Sequence, residues 1–402
     1  MSEKSRTVIV AGGGIAGLSA ALCLAENGLR ADVFEQAPAF ESVGAGLQIS
    51  PNAFHVLERL GLGRAIKTVA TAPPAIRVMS GRSGRQIVNI PLGATAIERY
   101  GAPYLIVHRA DLQEVLSSAA SDNPDVTLHM GQRVDDVALH ANGVTGLVYG
   151  KERVNEYSGM ALIGADGVWS RMRTMYFDNS EAQFSGLAAW RGLVPMDALP
   201  AWQDRENVQL WLASNAHAVS YPVRQGRYLN FVAITRMGAQ EDKPKQSWVE
   251  DGAPDELARE LSGWNKGLLE LLQHRTRWTK WPLFAVPRMA SWNFGAMALI
   301  GDAAHAMLPF AAQGAAMAIE DAAVLANCLA PNGAPAGDTA AALKQYSQQR
   351  MKRVQRAARL AQQNRSIYHM QPPLSMARNI AMGVLGGRRL LARQDWLYNW
   401  TP

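Results

Sequence analysis

Gly12, Gly14 and Gly17 are spaced so that a phosphate can approach bare backbone. Gly12 permits a tight turn, Gly14 leaves room for a pyrophosphate, and Gly17 lets the following helix pack on the preceding strand. Ile15 and Ala16 sit at the start of that helix, whose unpaired N–H groups favour an anion. Glu35 follows Gly17 by 18 residues, at the end of the next apolar run, where a carboxylate can accept from ribose hydroxyls. Together these positions point to a dinucleotide site. Two more acids close apolar runs: Ala161–Ala165 leads into Asp166-Gly167, and Ala296–Ile300 leads into Gly301-Asp302. An acid at a strand's C-terminal end lies where open α/β sheets bind ligands. The same dipeptides in polar loops, Asp251-Gly252 and Gly337-Asp338, carry no such meaning.

Acid–base candidates are fewer. In Ala216–Pro222, residues 217, 219 and 221 share one face if the segment is a strand. His217 and Tyr221 would then line one pocket about 13 Å apart, at ~3.3 Å per residue, too far to serve one substrate atom. The plain alternative is a half-buried histidine beside a packing tyrosine. His305 is expected to support the loop after Gly301-Asp302. The remaining histidines form no pair at metal-ligand spacing, and no Gly-x-Ser-x-Gly nucleophile motif is present. Trp190 and Trp211 fall in a β-rich stretch, where either could wall an aromatic pocket or simply pack.

These residues need particular elements behind them. Thr7–Ala11 reads as a buried strand and Ile15, Leu18, Leu22 and Ala25 as a helix stopped by Asn27-Gly28. Ala31–Glu35 then resumes a strand, so a β-α-β unit opens a parallel sheet. Gly44-Ala45-Gly46-Leu47-Gln48 precedes a short helix ending near Leu60. Residues 76–91 alternate like a hairpin around Gly81 and Gly84, and 183–236 read as antiparallel strands. The clearest hairpin there joins Ala218–Val223 to Tyr228–Ile234. Residues 239–275 read as a helical connection. The fold class is therefore α/β, a parallel-sheet nucleotide domain interleaved with a β-sheet domain and followed by a C-terminal helical segment. The expected divisions are 1–75 with 101–178 and 283–330, then 76–100 with 179–282, then 331–402.

Composition narrows the classes. With 402 residues, 48% apolar and 18% charged, the chain can bury a large core and is not disordered or fibrous. Cys23 and Cys328 are too few for a disulfide scaffold and lack a C-x-x-C partner, which suits a reducing compartment. The polar start lacks a signal-peptide pattern and no window spans a membrane, so a cytoplasmic protein is expected. Net charge is +6, yet 344–393 holds eleven basic residues and no acid, leaving the rest at −5. Lys344, Arg350, Arg353, Arg356 and Arg359 read as the solvent face of a long helix, with Met351, Val354 and Leu360 behind. No nucleic-acid partner is expected, because base-reading features are missing.

The glycine turn with Glu35, the Ala165-Asp166-Gly167 stretch and Gly301-Asp302-Ala303-Ala304-His305 together resemble the FAD-dependent aromatic hydroxylases, single-component flavoprotein monooxygenases. His108-Arg109-Ala110-Asp111-Leu112, Trp190-Arg191-Gly192-Leu193 and Leu308–Ala315 strengthen the resemblance, which covers 7–370. Within the family it is similar to salicylate hydroxylases, 3-hydroxybenzoate 6-hydroxylases and 6-hydroxynicotinate 3-monooxygenases. The resemblance implies FAD held at Gly12, Gly14, Ile15, Ala16, Gly17, Glu35, Gln36, Gln48, Arg109, Val134, Asp166, Gly301, Asp302, Gly314 and Ala315. It implies NAD(P)H as a transient co-substrate, O₂, a C4a-hydroperoxyflavin and a small phenolic or heteroaromatic acid as substrate. His217, Tyr221 and Gln313 are the implied active-site side chains, in a monomer or homodimer. Gln48 departs from the histidine of the hydroxynicotinate branch. Oxidation or reduction without oxygen insertion, on the same fold, is the alternative chemistry, and a flavin-binding regulator whose basic 344–393 tail contacts nucleic acid is the remoter alternative from another class.

Overall fold

A computed structural model describes residues 6–40, 46–141, 143–150, 153–177, 180–237, 250–274 and 278–402. Gly44, Ala45 and the 239–249 part of the expected helical connection lie outside these residues. The strand Thr7–Ala11 lies at the middle of the nucleotide sheet, parallel to Ala161–Gly164 on one side and Arg30–Glu35 on the other. The six strands run in the order 293–294, 297–299, 161–164, 7–11, 30–35, 126–130, and only the 293–294 edge strand is antiparallel. Helix Ile15–Glu26 lies on one face of the inner strands and a three-stranded antiparallel sheet of 133–140, 143–149 and 154–159 on the other, so Val8, Ile9 and Val10 are all apolar and wholly buried instead of alternating. Helix Ile15–Glu26 packs against helix Gly314–Leu329, which joins the N-terminal turn to the last glycine-rich stretch.

The second layer is an eight-stranded sheet, ordered 250–252, 278–285, 183–195, 228–236, 217–223, 208–212, 75–80, 86–91. Both expected hairpins are present, as 75–80 with 86–91 and 217–223 with 228–236. The described part of the 239–275 connection is a short strand, 250–252, followed by helices 254–260 and 266–272. Alternation gives the sheet two faces. Trp190, Trp211, Ala218 and Phe231 meet those two helices in a core of their own. Trp190 and Trp211 are therefore packing residues and not pocket walls. On the other face, Ala189 and Ile234 join Phe310, while Tyr221 and Val223 join Ile106 of the nucleotide domain. A pair of strands, Gly46–Ile49 and Leu105–His108, lies close to this second face.

The basic C-terminal helix, Thr339–Tyr368, departs from the expected solvent face. Lys344, Arg356 and Arg359 are exposed, but Arg350 is only 1% exposed and Arg353 is half-buried. Arg350 Nε donates to Asp321 Oδ1 at 2.7 Å and its Nη1 to Glu320 Oε2 at 2.6 Å. Arg353 donates twice to Glu320, at 2.6 and 2.7 Å. The tryptophans of 395–400 cover these cations: Trp400 lies 5.7 Å from Arg350, and Trp396 lies 3.9 Å from Arg356. Acids 30 residues upstream and tryptophans beyond position 393 thus turn a basic stripe into a joint.

Candidate active site

The three acid-bearing strand ends meet around the start of helix Ile15–Glu26. Gly12 has φ +112°, and a Cβ there would run into the Ala165 carbonyl; Ala165 N donates to Ala11 O at 2.8 Å. Gly301, at φ +57°, would place a Cβ 2.8 Å from Ala16 and 3.2 Å from Ala318. Only glycine fits either junction. Around this junction the polar groups face space. Gly14 has nothing within 4 Å of where its Cβ would be, and no side chain caps the helix start. Glu35 accepts from Gly13 N and Ala37 N, both at 2.8 Å. Gln36 beside it is exposed, and buried Val134 begins a strand next to it, with Gln132 N donating to Glu35 O.

Asp166 is largely enclosed. Its Oδ2 accepts from Met172 N at 3.1 Å, while Oδ1 is buried and without a partner among the described residues. Burial raises its pKa above the usual carboxylate range. Asp302 is exposed, and its Oδ1 lies 4.0 Å from where a Cβ of Gly314 would be. Gly314 and half-buried Ala315 open helix Gly314–Leu329, which also lacks a side-chain cap. Arg109 projects to the surface at the start of helix Arg109–Ser121, and no hydrogen bond or ion pair among the described residues engages its side chain. Unsatisfied N–H groups, an orphaned carboxylate oxygen and a free guanidinium thus border one continuous junction.

The sheet face opposite carries the candidate active-site residues His217 and Tyr221. His217 is 2% exposed; its Nδ1 lies 3.0 Å from His369 Nε2, and its ring packs 4.7 Å from Phe310 and 5.2 Å from Tyr368. Burial first, and His369 second, hold the His217 pKa well below its usual value, so it is a neutral imidazole. Tyr221 shares the face, but its hydroxyl donates to Gly46 O at 2.6 Å, bracing the 46–49 strand. Gln48 accepts from the Tyr104 hydroxyl. Burial first, with Tyr398, Tyr221 and Tyr368 adding to it, pushes the Tyr104 hydroxyl well above its usual value. Gln313 is turned the other way: Nε2 donates to Ser50 Oγ at 3.0 Å, and Oε1 accepts from Asn52 at 3.4 Å.

Comparison with known proteins fits this geometry. A family described as FAD binding domain matches residues 5–361. The 3-amino-4-hydroxybenzoate 2-monooxygenase of Streptomyces platensis is 36% identical over 377 residues, covering 92% of this chain and 90% of its own. A 3-hydroxybenzoate 6-hydroxylase of Aquipseudomonas alcaligenes is 31% identical over 395 residues, 97% of each chain. The chain belongs to the FAD-dependent aromatic hydroxylases. A salicylate hydroxylase substrate complex superposes with a TM-score of 0.84 at 27% identity, over 99% of this chain and 96% of that one. The hydroxylase is thus an FAD-dependent aromatic monooxygenase. Its glycine turn and uncapped helix starts suit a long anionic dinucleotide, and the orphaned Asp166 oxygen suits a hydrogen-bond donor rather than a phosphate.

Several side chains near the candidate site were not singled out from the sequence. Arg191 lies on the same sheet face as Tyr221, since Leu193 and Tyr221 both pair with Asn230. Its Nε is buried without a hydrogen bond among the described residues, and the guanidinium lies 5.8 Å from the centre of the Trp281 ring. His369, Tyr368 and Tyr398 arrive from the C-terminal helices, far along the chain. His305 supports its loop as expected, with Nε2 2.5 Å from Asp321 Oδ2. Among the described residues no cluster of three or more His, Cys, Asp or Glu could hold a metal, and no helix is long and apolar enough to cross a membrane.

Proposed function

We propose that this enzyme hydroxylates a phenolic or heteroaromatic acid, with NAD(P)H as reductant and O₂ as oxidant. Glu35, Gln36 and Val134 would serve the adenosine end of FAD, and the Gly12–Gly17 turn with Arg109 its pyrophosphate. Asp302 beside Gly301 would take the ribityl chain, with Gly314, Ala315 and Gln48 at the ring and Asp166 nearby. Bound FAD supplies hydride acceptance, oxygen activation and delivery of one oxygen atom to the aromatic ring. The protein's part is placement and proton control. His217, buried and neutral with Nε2 unpaired among the described residues, is suited to take the phenolic proton and enrich the ring. Tyr221 holds the 46–49 strand by its carbonyl and stays protonated, because burial raises its pKa. Gln313 supports the turn before Gly314 through Ser50. The domain divisions of the sequence analysis are retained, in a cytoplasmic monomer or homodimer.

The observation that carries the acid is Arg191, a guanidinium on the pocket face with no carboxylate partner among the described residues. Burial lowers its pKa, and a buried cation without a counter-ion is costly; a substrate carboxylate would offset that cost with charge-assisted hydrogen bonds. Arg191→Met is expected to raise KM for the acid by about 10²- to 10³-fold, but to change little for the corresponding neutral phenol. An unchanged KM would remove the acid from the proposal. The reaction itself is tested by screening hydroxybenzoates and hydroxypyridine acids for stimulated NAD(P)H consumption, with product and peroxide measured together. Consumption without hydroxylated product for every acid would favour the alternative without oxygen insertion.

The junction yields its own test. Gly12→Ala must push a methyl against the Ala165 carbonyl at a backbone angle that alanine resists. The purified variant is expected to lose its flavin colour while the C-terminal joint stays folded. A variant as yellow as the wild type would refute the convergence of the first two strand ends on FAD.

A further inference from the structure

His369 closes the back of the ring pocket from an unexpected direction. It is the residue after the 30-residue helix Thr339–Tyr368, yet its Nε2 lies 3.0 Å from Nδ1 of His217 on the sheet. Its placement does not depend on that contact. Arg378 donates to the carbonyls of Ile367 and Tyr368 at 2.8 and 2.9 Å, Asn364 donates to Phe310 O at 3.0 Å, and Gln371 donates to Ser214 O at 3.0 Å. The helix end is therefore pinned to the sheet and to the Phe310 turn, with the imidazole held at His217.

A neutral imidazole has one N–H and one lone pair, and the hydrogen bond at one nitrogen decides the state of the other. If His217 donates from Nδ1, its Nε2 is a lone pair able to take a proton. If His369 donates instead, His217 carries its proton on Nε2 and cannot act as a base. We propose that His369 is a positioning residue that accepts from His217 Nδ1–H and thereby keeps His217 Nε2 open as the proton acceptor. This rests on the reading of His217 as the base toward substrate. The groups around the pair fit an acceptor that stays neutral. Burial, then Arg236 of the sheet, Arg365 of the same helix and Arg378 of the next, hold the His369 pKa down at about 4. The titratable groups that face His217 among the described residues are His369 itself and Tyr368.

Nitrogen-15 labelling of histidine in the FAD-loaded enzyme reads the tautomer directly. His217 is expected as the Nδ1–H form, and an Nε2–H form in the wild type would overturn the proposal. His369→Leu removes the acceptor and is expected to lower kcat for hydroxylation about tenfold, with substrate KM and flavin content unchanged. His369→Gln, whose side-chain carbonyl can accept the same hydrogen bond, is expected to recover most of the rate and the wild-type pH profile. Equal losses in the leucine and glutamine variants would show a packing role only and overturn it. If His369→Leu does not fold, the tautomer and the glutamine variant decide the matter. A His217→Ala enzyme that hydroxylates normally would sink the reading of His217 itself. A slow His217→Ala beside a normal His369→Leu would sink only the positioning role.

Discussion

His217→Ala is expected to slow hydroxylation by about 10²- to 10⁴-fold while FAD stays bound. The size follows from removing a general base whose proton transfer raises the electron density of the ring under attack. The flavin retention follows from position: His217 touches Phe310, Tyr368 and His369 and none of the three strand ends that form the dinucleotide junction. NAD(P)H consumption should persist and appear as peroxide instead of hydroxylated product. Asp302→Ala should behave in the opposite way, weakening FAD by about 10-fold or more through loss of a charged acceptor, with the ring pocket intact. The two variants are compared by flavin content after purification and by product formed per NAD(P)H consumed. Equal flavin loss in both would refute this division of roles.

The contrast between the two residues also explains what the sequence made legible. Glycine turns and strand-end acids are local signals, because a tight turn, a close helix and an anion-facing N-terminus constrain residues a few positions apart. Gly12–Gly17, Glu35, Asp166 and Asp302 were accordingly readable, and so was the shared strand face of His217 and Tyr221. The partners of those residues were not. His369 lies 152 residues from His217 and carries no pattern, being an ordinary histidine after a long helix. Arg191 was visible only as part of a family stretch; its meaning comes from a buried position without a counter-ion, which spacing cannot reveal. Gln313 was an active-site candidate through the family resemblance alone, and spacing could not show that Ser50 and Asn52, more than 260 positions earlier, bond its amide. Arg350 failed for the same reason. An amphipathic stripe marks which residues share a face, not what will cover it.

Arg350→Met is expected to destabilise the enzyme by about 3–5 kcal/mol, since it strips the cation from two buried carboxylates and leaves them in place. Glu320 and Asp321 are both fully buried, and Arg350 bonds each of them. Burial opposes ionisation of Asp321, but His305 and Arg350 outweigh it and hold its pKa down at about 2. A carboxyl lowered in the folded state contributes stability that is complete above its unfolded pKa of about 3.8 and is lost as pH falls through about 2. Without Arg350 the folded pKa of Asp321 should rise, so acid unfolding should begin at a higher pH. The same joint braces the flavin side: Asp321 Oδ2 accepts from Gly301 N at 3.0 Å, and Glu320 accepts from Asn52. FAD affinity should therefore fall along with stability. Urea unfolding at saturating FAD measures the first effect and flavin titration the second. Adding Glu320→Gln and Asp321→Asn to Arg350→Met should recover part of the lost stability, because the uncompensated charges are then gone. An Arg350→Met enzyme with wild-type unfolding and an unmoved acid limb would show that the ion cluster does not join the C-terminal helix to the nucleotide domain.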